Sequence, residues 1–202
     1  FGGSCFKKDI LNLVYLCKFY GLNEVAEYWY QVVKINNYQK DRFAQKIIDH
    51  FKGDLNGKKI AILGWAFKSN TNDSRESAAI SICKNLIEEG ANLIIHDPKV
   101  KGAQIEKDLN LNQINFLERK ESSLNEKSGT WEYISSIKNL NIFNDTYAVL
   151  ILTEWEEFKN INWNEIATRM VPPAWVFDSR SIIDTKKVKD AGLNLWRLGD
   201  GL

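Results

Sequence analysis

Histidine, cysteine, proline and methionine are all scarce in this 202-residue chain, and each shortage removes a class of explanation. Two histidines, His50 and His96, and three cysteines, Cys5, Cys17 and Cys83, lie too far apart to give the ligand spacing of a zinc centre, so no metal site is expected. No C-x-x-C pair occurs. An odd, sparse cysteine count fits free thiols in a reducing compartment such as the cytoplasm better than a disulfide framework. Three prolines beside 44% hydrophobic residues exclude a disordered chain. No apolar run approaches the roughly 20 residues of a membrane span, and no signal-peptide pattern opens the chain. An excess of one charge is missing too. Twenty-seven Lys+Arg against 26 Asp+Glu leave +1, which argues against a polybasic nucleic-acid or membrane-surface module. The one methionine is Met170, and the chain opens on Phe1-Gly2-Gly3-Ser4-Cys5-Phe6, so a processed chain or a piece of a longer protein is expected.

What is present suffices for one large domain with an appendage. A chain this size buries roughly 70% of its unfolded surface without metal or disulfide staples. Phe6, Ile10, Leu13, Val14 and Cys17 recur at three- and four-residue spacing, which predicts an amphipathic helix ending by about residue 19. Ser4 is its candidate N-cap, and Gly21 ends the pattern. Val25, Trp29, Val32, Val33, Phe43, Ile47 and Ile48 carry helical spacing from about residue 24 to 51 with no internal Gly or Pro. Such a helix is roughly 40 Å long. It either joins two copies of the chain or belongs to the core of a larger domain.

The turn-rich stretch 52–57 separates this helical part, residues 1–53, from residues 54–202. Residues 58–64, an apolar run ending in Gly64, read as a buried parallel strand. A helix is predicted over about 76–89, stopping at Gly90. Further strands are predicted at 91–96, 147–152 and 175–178, with helical segments at 155–158 and 163–170. Alternating strands and helices predict an α/β fold: central long helices followed by a Rossmann-like open, mostly parallel sheet flanked by helices. The polar stretch 101–127 reads as a short helix and an exposed loop without chemistry. Cys17 and Cys83 read as small core residues, and His50 and His96 as structural.

Three places could carry chemistry. The loop after the first strand, Gly64-Trp65-Ala66-Phe67-Lys68-Ser69-Asn70, holds a single glycine and so is no dinucleotide fingerprint. Asp97 ends the second strand, where a ribose-binding acid would sit. Lys68, and Arg180 in Asp178-Ser179-Arg180, lie at the carboxyl ends of strands, where ligands of open α/β sheets collect. They either converge on one anionic ligand or are surface charges. Cys5, after two glycines and a serine, is expected at the first position of a helix. The dipole favours a thiolate there, and Lys8 and Asp9 lie three and four residues on. It is either a nucleophile or a capped structural cysteine.

Phe1-Gly2-Gly3-Ser4-Cys5-Phe6-Lys7-Lys8-Asp9 resembles the catalytic-cysteine loop of the UDP-glucose 6-dehydrogenase family of nucleotide-sugar dehydrogenases. Gly64-Trp65-Ala66-Phe67-Lys68, with Asp73-Ser74-Arg75-Glu76-Ser77 after it, is similar to that family's substrate loop. His96-Asp97-Pro98-Lys99, Thr153-Glu154-Trp155 and Phe177-Asp178-Ser179-Arg180 extend the resemblance along the whole chain. Ser181 departs from the pattern, which has a second basic or polar residue there in many relatives.

The resemblance implies oxidation of the UDP-glucose C6 alcohol to UDP-glucuronate with two NAD, through a thiohemiacetal and a thioester on a cysteine. It assigns the nucleophile to Cys5 and assistance of the water step to Asp9. Substrate contacts fall on Phe1, Gly2, Phe67, Lys68 and Arg180. Cofactor contacts fall on Cys5, Phe6, Lys7, Lys8 and Arg75. It further implies an amino-terminal NAD-binding domain absent from this chain, so a piece inactive alone is expected, and the length of the long helix leads to the expectation of a homodimer or a larger homo-oligomer. The other expectation is a non-catalytic nucleotide-binding and oligomerisation module.

Overall fold

Gly3, with φ at +78°, turns the chain into the first helix, α1 (Ser4–Phe19). The computed structural model describes residues 1–109 and 129–199, so the expected exposed loop within 101–127 lies mostly outside the described residues. Ser4 is not the N-cap. Gly3 takes that position without a side-chain cap bond, because a Cβ there would meet the Phe67 ring at 2.9 Å and φ is positive. Gly21, φ +73°, reverses the chain into α2 (Asn23–His50).

The two helices pair through a small apolar cluster of Ile10, Val14, Cys17, Ala26 and Val33. The second half of α2 leaves this arm and puts Phe43, Ala44, Ile47 and Ile48 into the main core. Its 28 residues therefore run through two apolar clusters. The arm keeps a second, exposed apolar surface that includes Tyr15, Phe19, Tyr28, Ile35 and Tyr38, each at least 59% exposed.

Six strands form one sheet in the order β3-β2-β1-β4-β5-β6, every neighbouring pair parallel. They are β1 (Lys59–Leu63), β2 (Asn92–His96), β3 (Trp131–Tyr133), β4 (Thr146–Ile151), β5 (Trp175–Asp178) and β6 (Asn194–Arg197). The four strands expected from sequence are present within a residue of their expected ends. β3 and β6 were not expected. Both are edge strands with half-buried or exposed residues, so neither shows the unbroken apolar run that marks a strand covered on both faces.

The described connections carry α3 (Ala78–Glu88), α4 (Gly102–Leu109), a 3-10 turn at Leu140–Phe143, α5 (Glu156–Lys159), α6 (Trp163–Ala167) and α7 (Thr185–Asp190). The Ser77 hydroxyl caps α3 by accepting the Ala79 N–H, and Asp184 caps α7. α3 begins two residues later than expected because Glu76 has φ +55°. α6 stops at Ala167, three residues short of the expected end. Cys17 and Cys83 are buried, as their apolar settings predict, and burial pushes the Cys83 thiol up, away from reactivity.

His50 ends α2 with its ring 3.7 Å from that of Trp175 and 5.6 Å from that of Phe177, which share one face of β5. Burial first, then the charge of Lys46, lowers its pKa. The unfolded chain therefore binds the imidazole proton more tightly than the folded one. The stability this ring contributes is complete above about pH 6.5, the ordinary imidazole value, and is lost as pH falls through the lower folded-state pKa. His50→Phe keeps a ring in the stack and removes the titration. Thermal melts should show a shallower loss of stability between about pH 6.5 and pH 5 in this variant. An unchanged slope would assign that acid sensitivity elsewhere.

Candidate ligand site at the carboxyl end of the sheet

The strand order reverses between β1 and β4, and ligands of such sheets bind at the carboxyl ends of the strands flanking that point. Gly64 leaves β1 with φ +101°. A Cβ there would lie 2.5 Å from the Thr153 side chain, so only glycine lets the two strand ends close up.

The loop that follows is held by three consecutive side chains after β4. Thr153 Oγ1 donates to the Ala66 carbonyl at 2.6 Å, and the Glu154 carboxylate accepts the Ser69 N–H at 3.0 Å. Trp155 Nε1 donates to Asp97 at 3.1 Å. Asp97 is 1% exposed and also accepts the N–H groups of Trp65 (2.6 Å), Ala66 (2.9 Å), Lys99 and Val100 (both 2.8 Å). Five donors occupy this carboxylate. Asp97 does stand at the end of β2, where a ribose-binding acid would sit, but its acceptor capacity is spent inside the protein.

Arg180 follows β5. The buried Asp178 carboxylate accepts the N–H groups of Arg180 and Ile183, each at 2.9 Å, and so fixes the turn. The guanidinium crosses to the β1 loop. Nε donates to the Leu152 carbonyl at 2.8 Å, Nη2 to the Phe67 carbonyl at 3.2 Å, and Glu154 lies 3.4 Å from Nε. Lys68 is exposed, its ammonium 5.3 Å from the centre of the Phe67 ring. Arg180 and Lys68 thus both lie against Phe67.

Phe67 also carries the loop that leads to Cys5. A Cβ on Gly2 would stand 2.9 Å from the Glu76 carbonyl and 3.1 Å from the Phe67 Cβ, so this turn needs its glycines for close approach. The Gly3 N–H donates to the Arg75 carbonyl at 3.0 Å, and the Lys7 ammonium pairs with Glu76 at 2.8 Å. The rings of Phe1 and Phe6 meet edge to face at 4.7 Å. Lys40 and Arg180 lie within electrostatic reach of the Phe1 nitrogen.

Cys5 is the second residue of α1, one later than expected, and is exposed. Arg75 chelates Asp73 at 2.9 and 2.7 Å. This pair holds the Asp73 carboxyl low and the guanidinium high, with Cys5 a smaller influence on the guanidinium, so the thiol lies within electrostatic reach of Arg75. Lys8 and Asp9 are exposed on α1 and lie 3.8 Å from each other.

The structure therefore gathers Gly2, Lys68 and Arg180 around Phe67, with Phe1 next to Gly2 in the chain and Arg75 bonded to the Gly3 N–H two residues before Cys5. Asp73, Thr153 and Glu154 organise this site, and the sequence assigned them no role. Thr153-Glu154-Trp155 stood out only as a motif, since its function lies in bonds to residues 58 to 87 positions away.

Residues 61–185 match the family model described as UDP-glucose/GDP-mannose dehydrogenase family, UDP binding domain. UDP-glucose 6-dehydrogenase 2 of Arabidopsis thaliana is 42% identical over 208 aligned residues, and UDP-glucose 6-dehydrogenase 1 of Glycine max is 43% identical. In both cases the alignment takes in all of this chain and 42% of the relative. Among solved structures, a UDP-glucose dehydrogenase from the hyperthermophilic archaeon Pyrobaculum islandicum superposes with a TM-score of 0.66 at 26% identity, covering 97% of this chain and 37% of that one. The chain thus spans less than half the length of the relatives it matches. The all-parallel sheet, its order reversal and the match over residues 61–185 agree, and the chain belongs to the UDP-glucose/GDP-mannose dehydrogenase family, whose UDP-binding domain it contains.

Proposed function

We propose that this chain supplies the UDP-sugar grip and the reactive thiol of a UDP-glucose 6-dehydrogenase. The observation that carries this reading is the packing of the Gly2-Gly3 turn, two residues before Cys5, on Phe67, whose carbonyl Arg180 holds. One residue joins the nucleophile's loop to the loop of the UDP-binding domain.

In this reading the thiol of Cys5 adds to the C6 aldehyde of the bound sugar, giving a thiohemiacetal, and water later hydrolyses the thioester to the carboxylate and free thiol. Asp9, one turn along α1, assists that water. Phe1, Gly2, Phe67, Lys68 and Arg180 hold the UDP-sugar, the two cations meeting the diphosphate. NAD, when bound, accepts the hydride released in each of the two oxidations. The single-glycine loop and the saturated Asp97 do not fit a dinucleotide on this sheet. We therefore assign NAD mainly to a separate domain outside this chain, with Arg75 and residues 5–8 lining its near side. Residues 1–53 then form the thiol loop and dimerisation helices, and residues 54–202 the UDP-sugar domain. The three free thiols support a cytoplasmic setting. No helix among the described residues is long and apolar enough to cross a membrane.

Three measurements test this reading. Lys68→Ala and Arg180→Ala each remove a charge-assisted contact worth roughly 1.5–3 kcal/mol. Calorimetric affinity for UDP-glucose should fall about 10- to 150-fold in each, and unchanged affinity in both would remove them from the site. Alkylation of Cys5 in the 202-residue chain should slow when UDP-glucose is added, while NAD and UDP-glucose together yield no NADH. Labelling indifferent to the sugar would instead favour a non-catalytic nucleotide-binding and assembly module. The exposed apolar arm supports a homodimer or larger homo-oligomer through α2. Tyr28→Glu with Ile35→Glu, one heptad apart on that helix, should convert it to monomer by light scattering. An unchanged mass would move the contact off this face.

A further inference from the structure

Asn36 is buried, 9% exposed, in the middle of a helix where asparagine is a poor helix former. Both ends of its amide hold the same residue. Nδ2 donates to the Phe1 carbonyl at 3.0 Å, and Oδ1 accepts from the terminal ammonium of Phe1 at 2.6 Å, a nitrogen that in a longer chain is a peptide N–H. Along α2 it falls between Val33, the last α2 residue of the arm cluster, and Phe43, the first in the main core. The backbone of Phe1 is thus fastened where α2 passes from the arm to the sheet.

Between this fastening and Cys5 stand Gly2 and Gly3, the residues least able to fix a direction by local stiffness. The placement of the thiol must come from outside the segment. Two further fastenings are the Gly3 N–H on the Arg75 carbonyl and, past Cys5, Lys7 on Glu76, both on the stretch just before α3. Asn36 supplies the third, from a different element. These three anchors on two elements act together with the packing of α1 on α2.

We propose that Asn36 is a positioning residue for the Cys5 thiol, setting its distance from a sugar held by Phe67, Lys68 and Arg180. This rests on the reading of Cys5 as the nucleophile of a dehydrogenase. Thiol addition needs the sulfur within about 3–3.5 Å of the aldehyde carbon, and a displacement of about 1 Å costs on the order of 100-fold in rate.

The test uses the complete dehydrogenase carrying this sequence, with Asn36→Ala, the near-isosteric Asn36→Asp and Cys5→Ala. Asn36→Asp keeps the shape and one acceptor, loses the Nδ2 donor and sets an oxygen against the Phe1 carbonyl, so it carries the test if the alanine variant fails to fold. Turnover should fall at least about tenfold in both Asn36 variants while KM for UDP-glucose stays within about twofold. Protection of Cys5 from alkylation by UDP-glucose should weaken, although calorimetry still shows the sugar bound. Wild-type turnover in Asn36→Asp with Cys5→Ala inactive overturns the positioning role and leaves the nucleophile assigned. Rising KM and loss of UDP-glucose affinity matching the loss of turnover would make Asn36 a general brace and overturn it as well. Full activity in Cys5→Ala overturns the reading of Cys5, and the role of Asn36 falls with it.

Discussion

The Asp97 carboxylate is the point on which the candidate site depends. A buried charge is tolerable only when hydrogen bonds replace its lost hydration, and here four backbone N–H groups and one indole do so without a cation. Those donors come from three places: the loop after β1, the turn after β2 and the segment after β4. A single side chain therefore ties the ends of three adjacent strands. Were it absent, several donors would be left buried without partners, each costing about 1–3 kcal/mol. The loop carrying Phe67 and Lys68 is thereby held as a platform, although it contains no regular secondary structure.

The second constraint is the length of α2. A helix that packs only on the sheet, or only on α1, would leave those two bodies free to shift. Because one continuous helix enters both apolar clusters, any displacement of the arm must bend it or slide it over Trp175, Phe177 and Trp196. The Cys5 loop starts beside α2, at the Asn36 amide, and ends in α1, so its geometry is tied to the same rod.

Legibility from sequence followed burial. Central strands such as β1 and β4, covered on both faces, announce themselves as apolar runs, and α2 by its uninterrupted helical spacing. β3 and β6 sit at the edges: Trp131-Glu132-Tyr133 alternates but over three residues only, and Asn194-Leu195-Trp196-Arg197 carries neither an apolar run nor an alternation. The positions expected to carry chemistry, Cys5, Phe67, Lys68 and Arg180, stood out by motif and strand-end position. Their supports did not. Glu154 and Asn36 act on residues 85 and 35 positions away, a relation no local spacing encodes. Ser4 misled for a related reason. A serine before an apolar-periodic run is an N-cap signal, but the close approach of Phe67, distant in sequence, demanded a glycine at positive φ one residue earlier.

The strand order β3-β2-β1-β4-β5-β6 is that of dinucleotide-binding sheets, yet the order alone does not choose the ligand. The choice is made in the first loop. A glycine-rich turn lets backbone amides approach a pyrophosphate, whereas here Trp65 and Phe67 fill that approach and the amides of Trp65 and Ala66 are already spent on Asp97. What remains available at the strand ends is side-chain charge, and only a few cations stand there, which is consistent with a chain of net charge +1. An anion bound this way is gripped from its flanks and not swallowed by the backbone, which leaves one side of it free for a second group to approach. Cys5, exposed at the start of α1, follows the Gly2-Gly3 turn that packs on Phe67.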